Sequence, residues 1–402
     1  MLSFDEAFEL LRGRVRPLTE VAVVPTLDAA GRVLAVSQRA EVDSPPADNS
    51  AMDGYAIAVA DLQTAGTRLP VSQTIAAGRV GEPLAPGTAA RIFTGGVIPD
   101  GADAVVMQEL CQSNDGDVQI GHVPRPGEHV RRAGSDIAAG SEILVAGQRL
   151  RPQDIALAAS VGLAGLPVYC RLRVAVLFTG DELRMPGETL PPGAIYNTNR
   201  FMLNALLKRL GCEVFDQGQI PDDLSSTRRA LLRAAEQSDL IISSGGVSVG
   251  DEDHVKTAVA AEGRLELWKM AIKPGKPLAF GQIRQNLGRE VPFIGLPGNP
   301  VSSLVTFLML VRPMILAMQG ASFAGPMPYL LRADFDWPRP DSRREFLRGR
   351  RNADGGVDLF ADQGASILRS AVWSDGLIDN PPRQVIRRGD LVRFLPFAEL
   401  LD

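Results

Sequence analysis

The stretch from residue 171 to 319 constrains the fold most, because apolar runs and helical patterns alternate there. RLRVAVLFT is a continuous apolar run of strand length. TNRFMLNALLKRLG follows, with Leu203, Leu206, Leu207 and Leu210 at helical spacing. Thr198 is its expected N-cap, and Gly211 lies past its end. CEVFDQG, DDLSSTRRALLRAAEQ and DLIISS continue the rhythm as strand, helix and strand, and LWKMAI, PLAFG and PFIGL read as further short strands. NPVSSLVTFLMLVRPMILAMQG closes the region as a long helix. Asn299 is placed to cap it, and Pro300 sits at the first position, where a missing N–H costs nothing. Alternation on this scale predicts an α/β unit with a parallel, doubly wound sheet.

In such sheets ligands bind beyond the carboxyl ends of the strands. Four loops are expected to meet there: TGDEL (179–183), SSGGVSVGDED (243–253), KPGKP (273–277) and LPGNP (296–300). Their chemistry is complementary. Gly245 and Gly246 let backbone N–H groups approach a ligand with no Cβ in the way. Asn299 and the helix it starts offer a positive dipole end to an anion. Lys273 and Lys276 can pair with oxyanions. Asp181, Glu182, Asp251, Glu252 and Asp253 can hold Mg²⁺, and a divalent cation makes an acidic cluster hospitable to phosphate. Each loop also has a plain reading. A Gly-Gly turn after a strand is often only a turn, and DED at a helix start complements the helix dipole. KPGKP can be a solvated turn and LPGNP a capping turn. There is no GxxxxGK[ST], so a P-loop is excluded.

Elsewhere the texture differs. Residues 3–11 predict a short helix capped by Ser3, and 151–162 a second one. Between them, from about 66 to 150, short apolar runs separated by Gly and Pro predict a β-rich unit. Residues 327–402 predict another small β-unit. At 402 residues the chain is too long for one ordinary core. A formal net charge of −5 argues against nonspecific nucleic-acid binding. No apolar run is read as long enough to span a bilayer. Cys111, Cys170 and Cys212 fit no disulfide framework or CxxC zinc site and point to a reducing, cytoplasmic setting. With three histidines, any metal is expected on carboxylate oxygens, as Mg²⁺ rather than Zn²⁺. Cys212 is expected to be buried rather than reactive.

Nine motifs occur in a telling order: DNSAMDGYA, RIFTGG, GSDI, FTGDEL, IYNTNR, SSGGVSVGDED, KPGKP, LPGNPVS and REFLRG. In this series the chain resembles the molybdopterin molybdenumtransferases, the MoeA-type molybdenum insertases that include the E domain of gephyrin. The resemblance covers nearly the whole chain. It implies a homodimer of four-domain subunits: a segmented N-terminal domain (1–45 and 141–170) and an inserted β-rich domain (46–140), then an α/β domain resembling the molybdopterin adenylyltransferases (171–322) and a C-terminal β-barrel (323–402). It also implies a reaction, in which adenylated molybdopterin is cleaved with Mg²⁺ and molybdate, AMP leaves, and molybdenum enters the dithiolene.

Carried over by motif, Asp253, Glu182 and Asp53 are the expected catalytic residues, with Asp253 and Glu182 on the metal. Asp181, Gly245, Gly246, Ser248, Asp222, Asn299, Thr94 and Asp136 are expected to bind substrate. Asp53, Thr94 and Asp136 would reach the partner subunit's site. Lys273, Lys276, Ser302 and Arg348 are expected to hold molybdate. The chain departs from the family pattern at Ala47, where an aromatic usually precedes DNS, and at QGASILRS, which leaves Ser366 and Ser370 both open for the molybdate site. Two further readings remain. One is an adenylyltransferase, although GGVSVG stands where those enzymes carry a GGTG-like turn. The other is a gephyrin-like scaffold, although no attached adenylyltransferase domain is seen. Transient contacts with the adenylyltransferase and other proteins of the cofactor pathway are expected, and no contact with nucleic acid or membrane.

Overall fold

The computed structural model describes residues 1–246, 254–275, 277–285, 288–321 and 325–401. Its centre is a six-stranded sheet in the order Glu213–Ile220, Arg173–Thr179, Leu240–Ser244, Glu290–Leu296, Pro277–Arg284, Gly263–Lys269. The first four strands are parallel. Pro277–Arg284 runs antiparallel to both its neighbours, so the sheet is mixed rather than wholly parallel as expected. The physical reason lies in the connections: 285–289 is too short for a crossover helix, so those two strands can only turn back on one another. Two reversals restore direction, and Gly263–Lys269 again points the same way as the parallel set.

Each face of the sheet has its own core. Val174, Val176 and Phe178 face the helices Phe4–Arg14, Thr198–Arg209 and the 300–318 segment. Ala175 and Leu177 face Leu224–Gln237 and His254–Glu262. Burial on both faces is why the strand reads as an unbroken apolar run. The Leu203, Leu206, Leu207 and Leu210 stripe is buried as its spacing predicts. The helix's N-cap is Asn197, not Thr198: Asn197 Oδ1 accepts from the Arg200 N–H, and Thr198 is already helical. Asn299 holds the N-cap position of the last helix but makes no side-chain cap bond.

That last helix, Pro300–Met318, is 19 residues long with a mean hydropathy of 1.9, which is enough to cross a membrane. This corrects the expectation that no run is long enough. The segment is 83% buried inside the protein, so its apolar length serves the core. A π-helical turn, Phe307–Val311, interrupts it, and Pro313 lies in the turn that follows.

The flanking units follow the segmented architecture. Val21–Pro25 pairs with Gly165–Tyr169, and Gln38–Arg39 with Glu142–Leu144, around Ala29, Leu34, Leu144, Ala158, Leu166 and Val168. Between these segments lies a six-stranded sheet running from Gly54–Ile57 to Asp117–Ile120 in sequence. At the C-terminal end, Arg344–Arg351 pairs with Gly356–Leu359 and with Gly376–Asn380. Leu391–Pro396 and Tyr329–Ala333 complete the circuit, closing a five-stranded barrel. One short strand, Ile272–Lys273, leaves the α/β unit to pair with the barrel at Arg344–Glu345.

Candidate functional site

In the central sheet Arg173–Thr179 sits between the strand that follows it and the strand after that. The chain therefore winds first to one side and then to the other, and the switch point falls between Arg173–Thr179 and Leu240–Ser244. A cleft of about 1140 Å³ opens there. All four predicted loops contribute to it: Gly180 and Glu182 from the first, Gly245 and Gly246 from the second, Lys273 and Gly275 from the third, Asn299 and Pro300 from the fourth. Ser302 and Asp222 line it as well. Convergence at one edge holds even for KPG, because Gly263–Lys269 regains the parallel direction.

The glycines are needed. Gly245 and Gly246 have φ of +94° and +66°, a region that L side chains rarely adopt. A Cβ on Gly245 would stand 2.7 Å from the Thr179 carbonyl oxygen, and one on Gly246 would strike Val255.

Charge is arranged in pairs. Lys273 Nζ lies 3.2 Å from Glu345 Oε1 and 3.5 Å from Asp341 Oδ2. The Glu345 side chain is wholly buried, and its Oε2 accepts from Trp337 Nε1 at 2.8 Å and from the Asp341 N–H at 3.1 Å. Arg343, another lining residue, grips Asp341 through two bonds of 2.9 and 2.8 Å, and those bonds hold the Asp341 carboxyl well below the ordinary carboxylate value. Lys273 and Glu345 are paired by strand register, so the barrel sets the height of the lysine.

The remaining expected residues fall in different places. Asp181 is exposed beside Glu182, and its Oδ1 accepts from the Asp222 N–H at 3.4 Å. Ser248, Asp253 and Lys276, like Asp251 and Glu252, lie outside the described residues. Arg348 is 1% exposed and does not line the cleft. It donates to Ser370 Oγ at 3.1 Å and to the carbonyl oxygens of Phe346 and Gly364, and burial pulls its guanidinium down to about 10. Along its strand Leu347 points into the barrel core, whereas Arg348, like Phe346, faces outward, and it lies behind the wall that Gln363–Ser366 present to the cleft. Ser366 lines the cleft, whereas Ser370 is buried and donates to the Ile367 carbonyl oxygen. Asp53 and Thr94 meet each other away from this cleft, with Thr94 N and Oγ1 each donating to Asp53 Oδ1 at 2.7 Å. Asp136 does not line the cleft and follows the 132–135 turn, its N–H donating to the Ser44 carbonyl oxygen.

Sequence reasoning singled out no residue of Tyr196, Asn197, Asn199, Ser244 or Arg343, yet all line the cleft. The IYNTNR motif was the available signal, since two asparagines at a helix start exceed what one cap requires. Among the described residues no group of three or more His, Cys, Asp or Glu side chains could hold a metal ion. Glu182 and Asp222 are nonetheless hard oxygen donors on one cleft, which suits Mg²⁺ shared with a phosphorylated ligand better than a closed protein cage.

Comparison with known proteins agrees with this arrangement along the whole chain. Residues 2–162 match the family described as MoeA N-terminal region (domain I and II). Residues 175–317 match a probable molybdopterin binding domain, and 331–397 the MoeA C-terminal region (domain IV). A molybdopterin molybdenumtransferase of Haemophilus influenzae is 38% identical over 408 aligned residues, covering 100% of both chains. Molybdopterin molybdenumtransferase 2 of Mycobacterium tuberculosis is 38% identical over 391, covering 93% of each. The crystal structure of a molybdopterin biosynthesis moeA protein from Pyrococcus horikoshii superposes with a TM-score of 0.84 at 29% identity, covering 98% of this chain and 100% of that one.

Proposed function

Since the chain belongs to the MoeA family of molybdopterin molybdenumtransferases, we propose that its central cleft binds adenylated molybdopterin together with molybdate. In this reading water attacks the molybdopterin phosphorus of the phosphoanhydride, AMP departs with the bridging oxygen, and molybdate binds the two dithiolene sulfurs while one oxo ligand leaves as water with the two thiol protons. The observation that carries it is the gathering of Glu182, Asp222, Lys273, Ser302 and the two left-handed glycines on one cleft at the switch point.

Their roles follow from their chemistry. Gly245 and Gly246 admit the pyrophosphate close to the backbone. Lys273 and Ser302 offer a cation and a hydroxyl to a tetrahedral dianion. Glu182 and Asp222, with Asp253 from the same motif series, would hold Mg²⁺, which when bound polarises a phosphoryl oxygen and neutralises developing charge. Asn299 and the helix start beyond it favour negative charge in the cleft. In a homodimer, Asp53, Thr94 and Asp136 would serve the partner's cleft.

One assay tests the reading. Purified protein is given adenylated molybdopterin, Mg²⁺ and molybdate, and AMP release is followed. Wild type is expected to release AMP only with molybdate present, and Asp253→Ala to slow release by at least about a hundredfold. An equal mixture of Asp53→Ala and Lys273→Met protomers is expected to recover activity that neither has alone. Wild-type rates from Asp253→Ala would overturn the metal assignment, and no recovery in the mixture would overturn the shared site.

A further inference from the structure

We propose that Arg91 is a positioning residue for the Asp53–Thr94 pair; this rests on that pair serving a partner's cleft. Both bonds from Thr94 fall on Asp53 Oδ1, and Oδ2 has no hydrogen-bond partner among the described residues. Oδ2 is therefore the oxygen left to meet a ligand. Where it stands depends on two chain segments, 53–54 and 93–94, and Arg91 touches both. Its Nη1 donates to the Gly54 carbonyl oxygen at 2.9 Å. Its Nη2 donates to Gln108 Oε1 at 2.6 Å, and the Gln108 N–H donates in turn to the Asp53 carbonyl oxygen at 3.0 Å. The guanidinium also lies over two rings, Phe93 at 4.8 Å and Tyr55 at 5.2 Å.

Strand pairing does not require this arrangement. Gly54–Ile57 and Ala89–Ile92 are already joined by backbone register, with Tyr55 opposite Arg91. What the guanidinium adds is a hold on the backbone at both sides of Asp53, through Gly54 and through Gln108. It also pins Phe93, a ring that is 38% exposed and stands directly before Thr94. A planar fork can donate in two directions and stack on rings at the same time. A lysine ammonium keeps the charge but has neither the flat face nor the fixed fork. With both ends of its fork engaged inside its own unit, Arg91 acts through Asp53 and not on the ligand. The Thr94 N–H and hydroxyl hold the Asp53 carboxyl below its ordinary value, and the Arg91 charge adds to this.

AMP release from adenylated molybdopterin with Mg²⁺ and molybdate tests this. Arg91→Lys is expected to lower kcat about tenfold, with KM within about twofold and the melting temperature unchanged. Mixing protomers then separates positioning from general damage. An equal mixture with Lys273→Met should give several times the mean of the two separate rates, because one cleft of each mixed dimer has both an intact lysine and an intact Asp53 unit. A mixture with Asp53→Ala should give only the mean, because both defects lie in the same unit. A wild-type rate from Arg91→Lys overturns the proposal, and so does recovery with Asp53→Ala. Absence of recovery with Lys273→Met, where Asp53→Ala does recover, overturns it too. If Arg91→Lys melts lower than wild type, Gln108→Ala at an exposed position decides: kcat about threefold lower is expected, and a wild-type rate overturns the proposal. Failure of Asp53→Ala and Lys273→Met to recover each other would instead overturn the shared site on which the proposal rests.

Discussion

At the scale of single residues, the cleft depends on what holds its charges. Lys273 is not a bare cation: Glu345 and Asp341 lie 3.2 and 3.5 Å away, and Glu345 is sealed from water. A wholly buried carboxylate is costly unless it is paired and hydrogen-bonded. Glu345 meets that condition through Lys273, Trp337 and the Asp341 N–H. The pair is therefore expected to act as a unit. A double-mutant cycle with Lys273→Met and Glu345→Gln, read by thermal unfolding, should give a coupling of about 1–3 kcal/mol. Additive effects would mean that Glu345 does not position the lysine. The lysine was legible in KPGKP, but its partner was not, because it lies 72 positions further along the chain and is reached only through strand register.

At the scale of elements, the turn after Leu240–Ser244 is shaped by backbone conformation and by what lies beneath it. Gly246→Ala is expected to destabilise the protein by about 1–3 kcal/mol, because an alanine at φ +66° is strained and its Cβ meets Val255. Denaturant unfolding measures this, and a change under about 0.5 kcal/mol would mean that the turn relaxes freely. Helix boundaries were mostly readable from caps and apolar spacing. The exception at Asn197 is instructive. Thr198 and Asn197 are both good caps by type, and the choice fell to the residue whose side-chain oxygen reaches the Arg200 N–H. The long apolar helix was read at its full extent but not as long enough to span a bilayer, and composition cannot distinguish a span through lipid from one through the protein's own core.

For the whole molecule, Asp239 shows how distant segments are tied together and what acid does to them. It is 5% exposed at the start of the third central strand, and it accepts from Arg173 and from Arg289 at 2.7 Å. Burial alone would raise its pKa, but the two arginines outweigh that and hold it below the ordinary value. A depressed carboxylate stabilises the fold above its unfolded pKa of about 4, and that contribution fades as pH falls toward the folded value. Asp239→Asn should thus lower the melting temperature at pH 7, by an amount matching about 1–3 kcal/mol, and the gap should narrow below about pH 4. A gap that does not change with pH would show that the pairing contributes nothing through charge.

By itself the sequence determined the local units: the alternating strands and helices, the loops rich in glycine, lysine and carboxylate, the buried leucine stripe, and the motif order that identifies the family. These are properties of short stretches, set by periodicity, backbone freedom and charge. Tertiary structure decided what chain separation hides. It turned Pro277–Arg284 antiparallel, buried Arg348 against Ser370 and Gly364, brought Glu345 to Lys273 and placed Asn197 and Asn199 on the cleft. The Lys273–Glu345 pairing depends on which surfaces meet where the barrel pairs with the α/β unit, and contacts between residues far apart in the chain leave no period for a sequence to display.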